Sequence, residues 1–262
     1  MSKKAENAEF ARKWVNETTS SNSWNKCIKS SIADTSIYVG DLIDEADEYY
    51  CKSASGSNKT KISVTADKTY DAILQMYYDN KYDVCVLNFA SFFNPGGGFL
   101  KGSFAQEESL CAVSGLYSVL SSLDVYKMRA GKDKVPPEYD DELIYSAGVP
   151  FTTYAGELSS PYLVDVISCA APNCNRIPMT HQDYYIKALR KRIKAIYYLP
   201  YVNACNNLIL GAWGCGVFKN DPGLISSLFA EVIAECPDLY ENIVFACGSK
   251  DNMQIFKNAM HL

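Results

Sequence analysis

The residues Asn94-Pro-Gly-Gly-Gly-Phe-Leu-Lys-Gly-Ser-Phe-Ala-Gln-Glu-Glu108 join a triple-glycine turn to two adjacent carboxylates. Without a Cβ, Gly96, Gly97 and Gly98 can adopt positive φ and let backbone N–H groups close on a phosphate. A carboxyl at Glu107 or Glu108 can give or take a proton. A site with both features suits chemistry on a phosphorylated sugar. Taken alone, the acidic pair also has a structural reading, because carboxylates in a first helical turn meet the helix dipole favourably. Neighbouring helical side chains diverge by about 100°. One glutamate can therefore face a reacting atom while the other contacts an adjacent group.

A second glycine loop, Gly214-Cys215-Gly216-Val217-Phe218, lies far along the chain. Neither loop is a Walker A, since no Gly-Lys-Ser/Thr follows, and neither matches G-x-G-x-x-G. What they share is position. One follows the apolar run Val84–Phe89 and the other follows Leu208–Trp213, and each precedes a helix-like segment. Ligands of open α/β sheets sit beyond the carboxyl ends of strands. A single loop of this kind is satisfied by a tight turn. Two in equivalent places point to a cradle for a diphosphate.

The elements that must position these loops are legible as an α/β alternation. Residues 5–17 read as an amphipathic helix with Phe10 and Trp14 on one side, and 18–35 as a Ser/Thr/Asn-rich loop. Strands are expected at Thr35–Val39, Lys61–Thr65, Asp83–Ala90, Leu143–Ser146, Tyr162–Ala170, Asn207–Trp213 and Asn242–Cys247. Helices are expected over Thr69–Asn80, from Gln106, from a cap at Thr180 to about Leu199 before Pro200, and through about Cys236. Asp44 to Asn58 reads as a polar surface connection and residues 129–142 as an inserted loop. The pattern gives a mixed or parallel sheet between helical layers.

Composition excludes several classes. With 262 residues and 48% apolar content, a substantial core is expected and global disorder is not. No apolar run approaches the roughly 20 residues of a spanning helix, and the N-terminus lacks an apolar signal core, so no membrane association and an intracellular setting, cytoplasmic or nuclear, are expected. The ten cysteines form no Cys-x-x-Cys pair, and His181 and His261 are the two histidines, so no metal site is expected. Cys85, Cys169 and Cys247 sit in strand-like runs as core thiols. The net charge is −5. The densest basic cluster, Lys187 to Lys194, reads as the solvated face of a helix, and no sequence-specific nucleic-acid binding is expected.

The segment Leu87 to Leu110 closely resembles the signature of microbial (bacterial-type) poly(ADP-ribose) glycohydrolases: Gly-Gly-Gly, a six-to-eight residue spacer, then Gln-Glu-Glu. Phe99 to Ala105 is the spacer here. The resemblance continues through Ile144–Pro150, Val164–Asn173 and Leu210–Pro222, covering roughly residues 60–250 in order. It implies a macrodomain-like three-layer α/β/α sandwich with a mixed central sheet, residues 59–262, carrying an N-terminal helical extension, residues 1–58, packed on it as one structural unit. It implies hydrolysis of ribose–ribose O-glycosidic bonds, from chain ends, releasing ADP-ribose. Glu108 would be the catalytic acid and Glu107 would position the ribose. Gly96–Gly98 and Gly214 to Val217, Cys215 and Gly216 included, would wrap the diphosphate. Phe218 would pack near the terminal ribose, with Gln106 and Asn94 as further substrate contacts. Partners would be poly(ADP-ribose), ADP-ribosylated proteins and ADP-ribose itself; no cofactor is implied. Lys219 departs from a position where small residues are common, and Phe93 and Thr152-Thr153 from positions where basic residues are frequent. A macrodomain that only reads ADP-ribose, or a hydrolase of single ADP-ribose groups, are the alternatives.

Overall fold

The computed structural model describes residues 2–40, 59–130, 141–154, 156–176 and 182–262. The polar stretch Asp44 to Asn58, most of the 129–142 insertion and the Thr180 cap lie outside them. The centre is a seven-stranded mixed sheet. Its strands are β1 (Thr35–Val39), β2 (Lys61–Thr65), β3 (Val84–Phe89), β4 (Glu142–Phe151), β5 (Tyr162–Cys169), β6 (Asn207–Leu210) and β7 (Asn242–Ala246). They are ordered β1-β4-β5-β3-β6-β7-β2. The β1/β4 and β4/β5 pairs are antiparallel and the other four pairs are parallel. β3 therefore runs through the middle with a parallel neighbour on each side. Its first five residues are fully covered, which is why Val84-Cys-Val-Leu reads as unbroken apolar sequence.

Helices cover both faces. On one side lie α1 (Lys3–Ser20), α2 (Asn22–Ala33), α3 (Thr69–Tyr78), α4 (Gln106–Cys111), α5 (Leu116–Ser121) and α6 (Asp124–Ala130). Their core includes Trp14, Trp24, Ile73, Leu110, Leu116 and Tyr126 against Val84, Val86 and Val166. On the other lie α7 (Gln182–Val202), α8 (Pro222–Glu235) and α9 (Lys250–Ala259), packing Leu189, Ile193, Ile225, Phe229 and Phe256 against Cys85, Leu87 and Ile167. This is the three-layer α/β/α sandwich that the alternation implies.

Three expectations change. Residues 18–35 are not a loop: α1 extends to Ser20 and α2 fills Asn22–Ala33, with Ser21 in extended conformation between them. Ser and Asn are weak helix formers, but Trp24, Ile28 and Ser31 recur at helical spacing and are buried. Trp24 meets Trp14 edge-to-face at 5.7 Å, and each indole N–H donates to a core carbonyl, Ser159 O and Ser114 O, both at 2.9 Å. Tertiary burial overrides local propensity here. Second, Pro200 does not end α7, which continues to Val202. A proline this close to a helix end forfeits one N–H bond and leaves the turn otherwise intact. Third, the basic face of α7 is not all solvated. Arg192 is fully buried, donating to Asp141 Oδ1 at 3.0 Å and Ala170 O at 2.8 Å. Arg190, by contrast, pairs at the half-exposed surface with Glu231 and Glu235.

The N-terminal segment is joined to the rest through the sheet itself, since β1 pairs with β4 from Thr35↔Ser146 to Val39↔Glu142. Among the described residues no helix is long and apolar enough to cross a membrane.

Candidate active site

The turn after β3 and the turn after β6 emerge side by side, because β3 and β6 are hydrogen-bonded neighbours. They flank a cleft of about 490 Å³, a volume suited to a nucleotide-sized ligand. Asn94, Gly97, Gly98, Gln106, Glu107 and Glu108 line one side; Gly214, Gly216, Val217 and Phe218 line the other. Gly96 and Cys215 do not line it. Gly96 is buried against Tyr117 and Cys111. The Cys215 thiol, pushed up to about 12 by burial, points to Trp213 O at 3.5 Å.

The acidic pair opens α4. Glu107 and Glu108 are only 4% and 7% exposed, so neither is a solvated surface charge. Glu107 Oε2 accepts from Ser91 N at 2.7 Å, and its Oε1 from Asn88 Nδ2 at 3.4 Å. Burial pushes this carboxyl up to about 8, against the pull of the Ser91 N–H, the Asn88 amide and the Gly96 N–H, with Glu108 adding to the rise. Glu108 Oε2 accepts from Ala105 N at 2.9 Å, reaching back over the helix start, and its Oε1 accepts from Gly98 N at 2.8 Å. A carboxylate has about four lone-pair sites. One on each Glu108 oxygen is used by the protein, and the remainder can face the cleft.

Gly97 must be glycine for two reasons. Its φ is +61°, and a Cβ there would lie 2.5 Å from Glu108 Oε1 and 3.0 Å from Glu107 Oε2. The turn thus closes directly over both carboxyls. Its N–H groups are engaged within the protein: Gly97 N donates to Asn94 O at 2.9 Å and Gly98 N to Glu108. In this structure the N–H groups of Gly96 and Gly98 hold the two buried carboxyls. Gln106 is also spoken for. Its Oε1 accepts from Phe89 N at 2.9 Å and its Nε2 donates to Leu87 O at 2.8 Å, so it extends the end of β3 as a strand would.

The second turn is held differently. Asn220 is 2% exposed and donates from Nδ2 to Gly214 O and Pro172 O, both at 3.0 Å. Its Oδ1 accepts from Tyr185 Oη at 2.6 Å. Phe218 O and Val217 O accept from Cys174 N at 2.9 Å and Asn175 Nδ2 at 3.2 Å. The N–H groups of Gly216, Val217 and Phe218 have no partner among the described residues. Successive backbone N–H groups without a protein partner are the kind of donor set that can meet an anion.

Sequence reading missed several contributors. Ser91 acts through its backbone N–H, which leaves no side-chain signal. Asn88 did leave one, a polar residue inside Val-Cys-Val-Leu-Asn-Phe. Lys101, Trp213 and Asn252 also line the cleft. Of the noted departures, Thr152 and Thr153 are buried and bond to Ser159, Tyr154 O and Glu157 O, holding a turn away from the cleft. Lys219 adopts φ +58°, the conformation that favours a small residue there.

With this geometry in place, comparison with known proteins is specific. The family model "Microbial-type PARG, catalytic domain" matches residues 5–153. The chain is similar to poly(ADP-ribose) glycohydrolase from Thermomonospora curvata, 28% identical with a TM-score of 0.86, over 97% of this chain and 99% of that one. A second structure from that organism, bound to the inhibitor ADP-HPD, is 28% identical with a TM-score of 0.84, over 97% of this chain and 99% of that one. Poly(ADP-ribose) glycohydrolase from Deinococcus radiodurans in complex with ADP-ribose is 30% identical, TM-score 0.79, over 89% of this chain and 96% of that one. Comparison with curated proteins returns no match.

Proposed function

The chain belongs to the microbial-type poly(ADP-ribose) glycohydrolase family, and from that premise we propose that it removes ADP-ribose units from the ends of poly(ADP-ribose) with Glu108 as the catalytic acid. It is a glycosidase, and ADP-ribose is its product ligand. One observation carries the assignment of roles: two buried carboxyls and a turn whose N–H groups have no partner among the described residues line a single cleft.

The free N–H groups at Gly216, Val217 and Phe218 hold the diphosphate. Phe218 and Asn94 border the terminal ribose. Glu107 accepts a hydroxyl of that ribose. Protonated Glu108 donates to the oxygen joining the two sugars as the C1–O bond breaks. The positive charge developing on the sugar is offset by the nearby diphosphate. Water then adds to C1 and its proton returns to Glu108, which regenerates the acid. One carboxyl serves both steps, so the reaction balances as hydrolysis with no other reactant. The polymer on ADP-ribosylated proteins is the physiological partner in this reading.

Incubation with poly(ADP-ribose), wild type beside Glu108→Gln, with free ADP-ribose as the readout, tests it. Wild type should release ADP-ribose, and the variant should lose at least about 10²-fold in rate. Calorimetry with ADP-ribose should show binding retained in the variant. Wild-type-like turnover by Glu108→Gln removes Glu108 from the mechanism.

A further inference from the structure

Behind Glu107 the sheet carries a buried oxygen with no partner among the described residues. Asn88 is completely covered within β3 and points to the same face as Glu107. Its Nδ2 donates to Ser168 Oγ on β5 at 3.0 Å and to Glu107 Oε1 at 3.4 Å. Its Oδ1 makes no hydrogen bond among the described residues. A carboxamide keeps its shape when turned through a half rotation, but its donor and acceptor ends change places. In the turned position Oδ1 has two lone pairs for the two groups that Nδ2 now serves. One is the Ser168 hydroxyl, which can donate as readily as it accepts. The other is Glu107, which can donate only when protonated.

We propose that Asn88 is a two-position positioning residue, presenting Nδ2 to the Glu107 carboxylate and Oδ1 to the Glu107 carboxylic acid, with the Ser168 hydroxyl reversing its sense. A single proton on Glu107 is what changes; no other group is transferred. The carboxyl thereby keeps one direction in both states. The consequence for catalysis rests on the reading of Glu107 as the ribose-positioning group, but the amide reversal does not.

The surroundings of Glu107 leave few competing causes. From its own helix Glu108 and Cys111 face it, and from α6 the Tyr126 hydroxyl does. Arg129, next to Tyr126, is engaged with Glu142 and with Phe92 O at 2.9 Å. Ser91 and Gly96 contribute backbone N–H groups that cannot reverse. From the strands, Asn88 and Ser168 are neutral. Among the described residues Asn88 is the side chain hydrogen-bonded to Glu107, and its carboxamide can exchange donor for acceptor. With Glu107 titrating near 8, the changeover falls where a folded protein can be studied.

The test uses the whole chain, labelled for NMR on side-chain amides and carboxyls, from pH 5 to pH 9.5. The Asn88 carboxamide nitrogen should shift with the same midpoint as the Glu107 carboxyl carbon, and the shift should vanish in Glu107→Gln. An Asn88 signal that stays still while Glu107 titrates overturns the proposal, as does a transition that persists unchanged in Glu107→Gln. A second arm uses Asn88→Ala. A fixed donor to the carboxylate, once removed, would let the Glu107 midpoint rise by about half a pH unit or more; a partner of both states leaves it within that margin. Turnover should fall roughly tenfold, while ADP-ribose affinity stays within about threefold. A midpoint that rises beyond that margin overturns the proposal, because Asn88 would then serve the carboxylate alone. Failure of the wild type to release ADP-ribose from the polymer would sink the enzymatic reading alone, because the amide titration is read without turnover.

Discussion

At residues 96–98 the backbone N–H groups are already spent on the protein's own carboxyls and carbonyls, whereas at 216–218 three successive N–H groups are left with no partner among the described residues. Both turns are glycine-rich, both leave the carboxyl end of a central strand, and both border one cleft. Composition makes them look interchangeable. Their hydrogen bonds show a division of labour. The first turn holds Glu107 and Glu108 in place, and the second leaves three N–H groups that the proposed function assigns to the diphosphate. Close contact with the protein itself requires glycine at Gly97 in the first turn and at Gly214 in the second, where a Cβ would collide with Asn220 and Ala171; at Gly216 a Cβ would meet nothing within 4 Å.

The largest effect should come from Gly97→Ala. The added methyl would press on both carboxyls, and the positive φ gives it no relaxed alternative. Turnover should fall by at least about 10²-fold, since a small displacement of a reacting group costs that much. Steady-state release of ADP-ribose checks this. Loss confined to ADP-ribose affinity would show that the first turn is a phosphate binder after all. Asn220→Ala probes the other side. It removes the buried amide that pins Gly214 O and Pro172 O, taking that donor from Pro172 O and leaving Gly214 O with the Asn220 backbone N–H. ADP-ribose should bind about tenfold more weakly, equivalent to about 1.4 kcal/mol. The rate at saturating polymer should stay near wild type. Calorimetry and a KM-against-kcat split separate the two, and a fall in kcat alone would contradict the assignment of binding to this turn.

How much of this was legible follows from where each signal resides. The strands announce themselves because central parallel strands must be apolar on both faces, as Val84–Leu87 and Leu208–Leu210 are. The glycine turns announce themselves because only glycine suits Gly97. The acid pair is a matter of residue identity. What was illegible is direction. Nothing in Gly-Gly-Gly states whether its N–H groups face a ligand or Glu108, because that depends on α4 folding back so that Glu108 caps Ala105 and reaches Gly98. Gln106 looked like a ligand contact for the same reason; its amide is consumed by β3. Residues 18–35 failed on a different ground. Local propensity argued for loop, and the burial of Trp24 and Ile28 outweighed it. Asn88 was visible as a polar residue in an apolar strand, but its partner lies 19 positions away.

A third prediction concerns the load the first turn carries. Glu107 is held near 8 in the fold, above its ordinary value of 4.5, so the folded state binds a proton that the unfolded state has released between those limits. Its contribution to stability is therefore full below 4.5 and declines as pH rises toward 8. Glu107→Gln escapes that decline. The melting temperature of the variant minus that of wild type should grow from pH 5 to pH 8.5, by roughly 2 °C or more. A difference that shrinks over that range would mean that Glu107 is stabilised as the anion, and that the Ser91 N–H and the Asn88 amide outweigh burial.

The smallest effect is the most discriminating. Gly216 has ordinary φ and open space where its Cβ would be, so Gly216→Ala should leave the melting temperature within about 1 °C of wild type. Any loss of affinity must then come from the ligand and not from the protein, because no atom of the chain is displaced. If the diphosphate lies on the free donors of 216–218, the methyl intrudes between backbone and phosphate, and ADP-ribose affinity should drop about threefold. A variant that binds as tightly as wild type would mean that the phosphates pass elsewhere. The donors at Val217 and Phe218 would then be left without an anion to explain them, and the contrast between the two turns would lose its functional half while keeping its structural one.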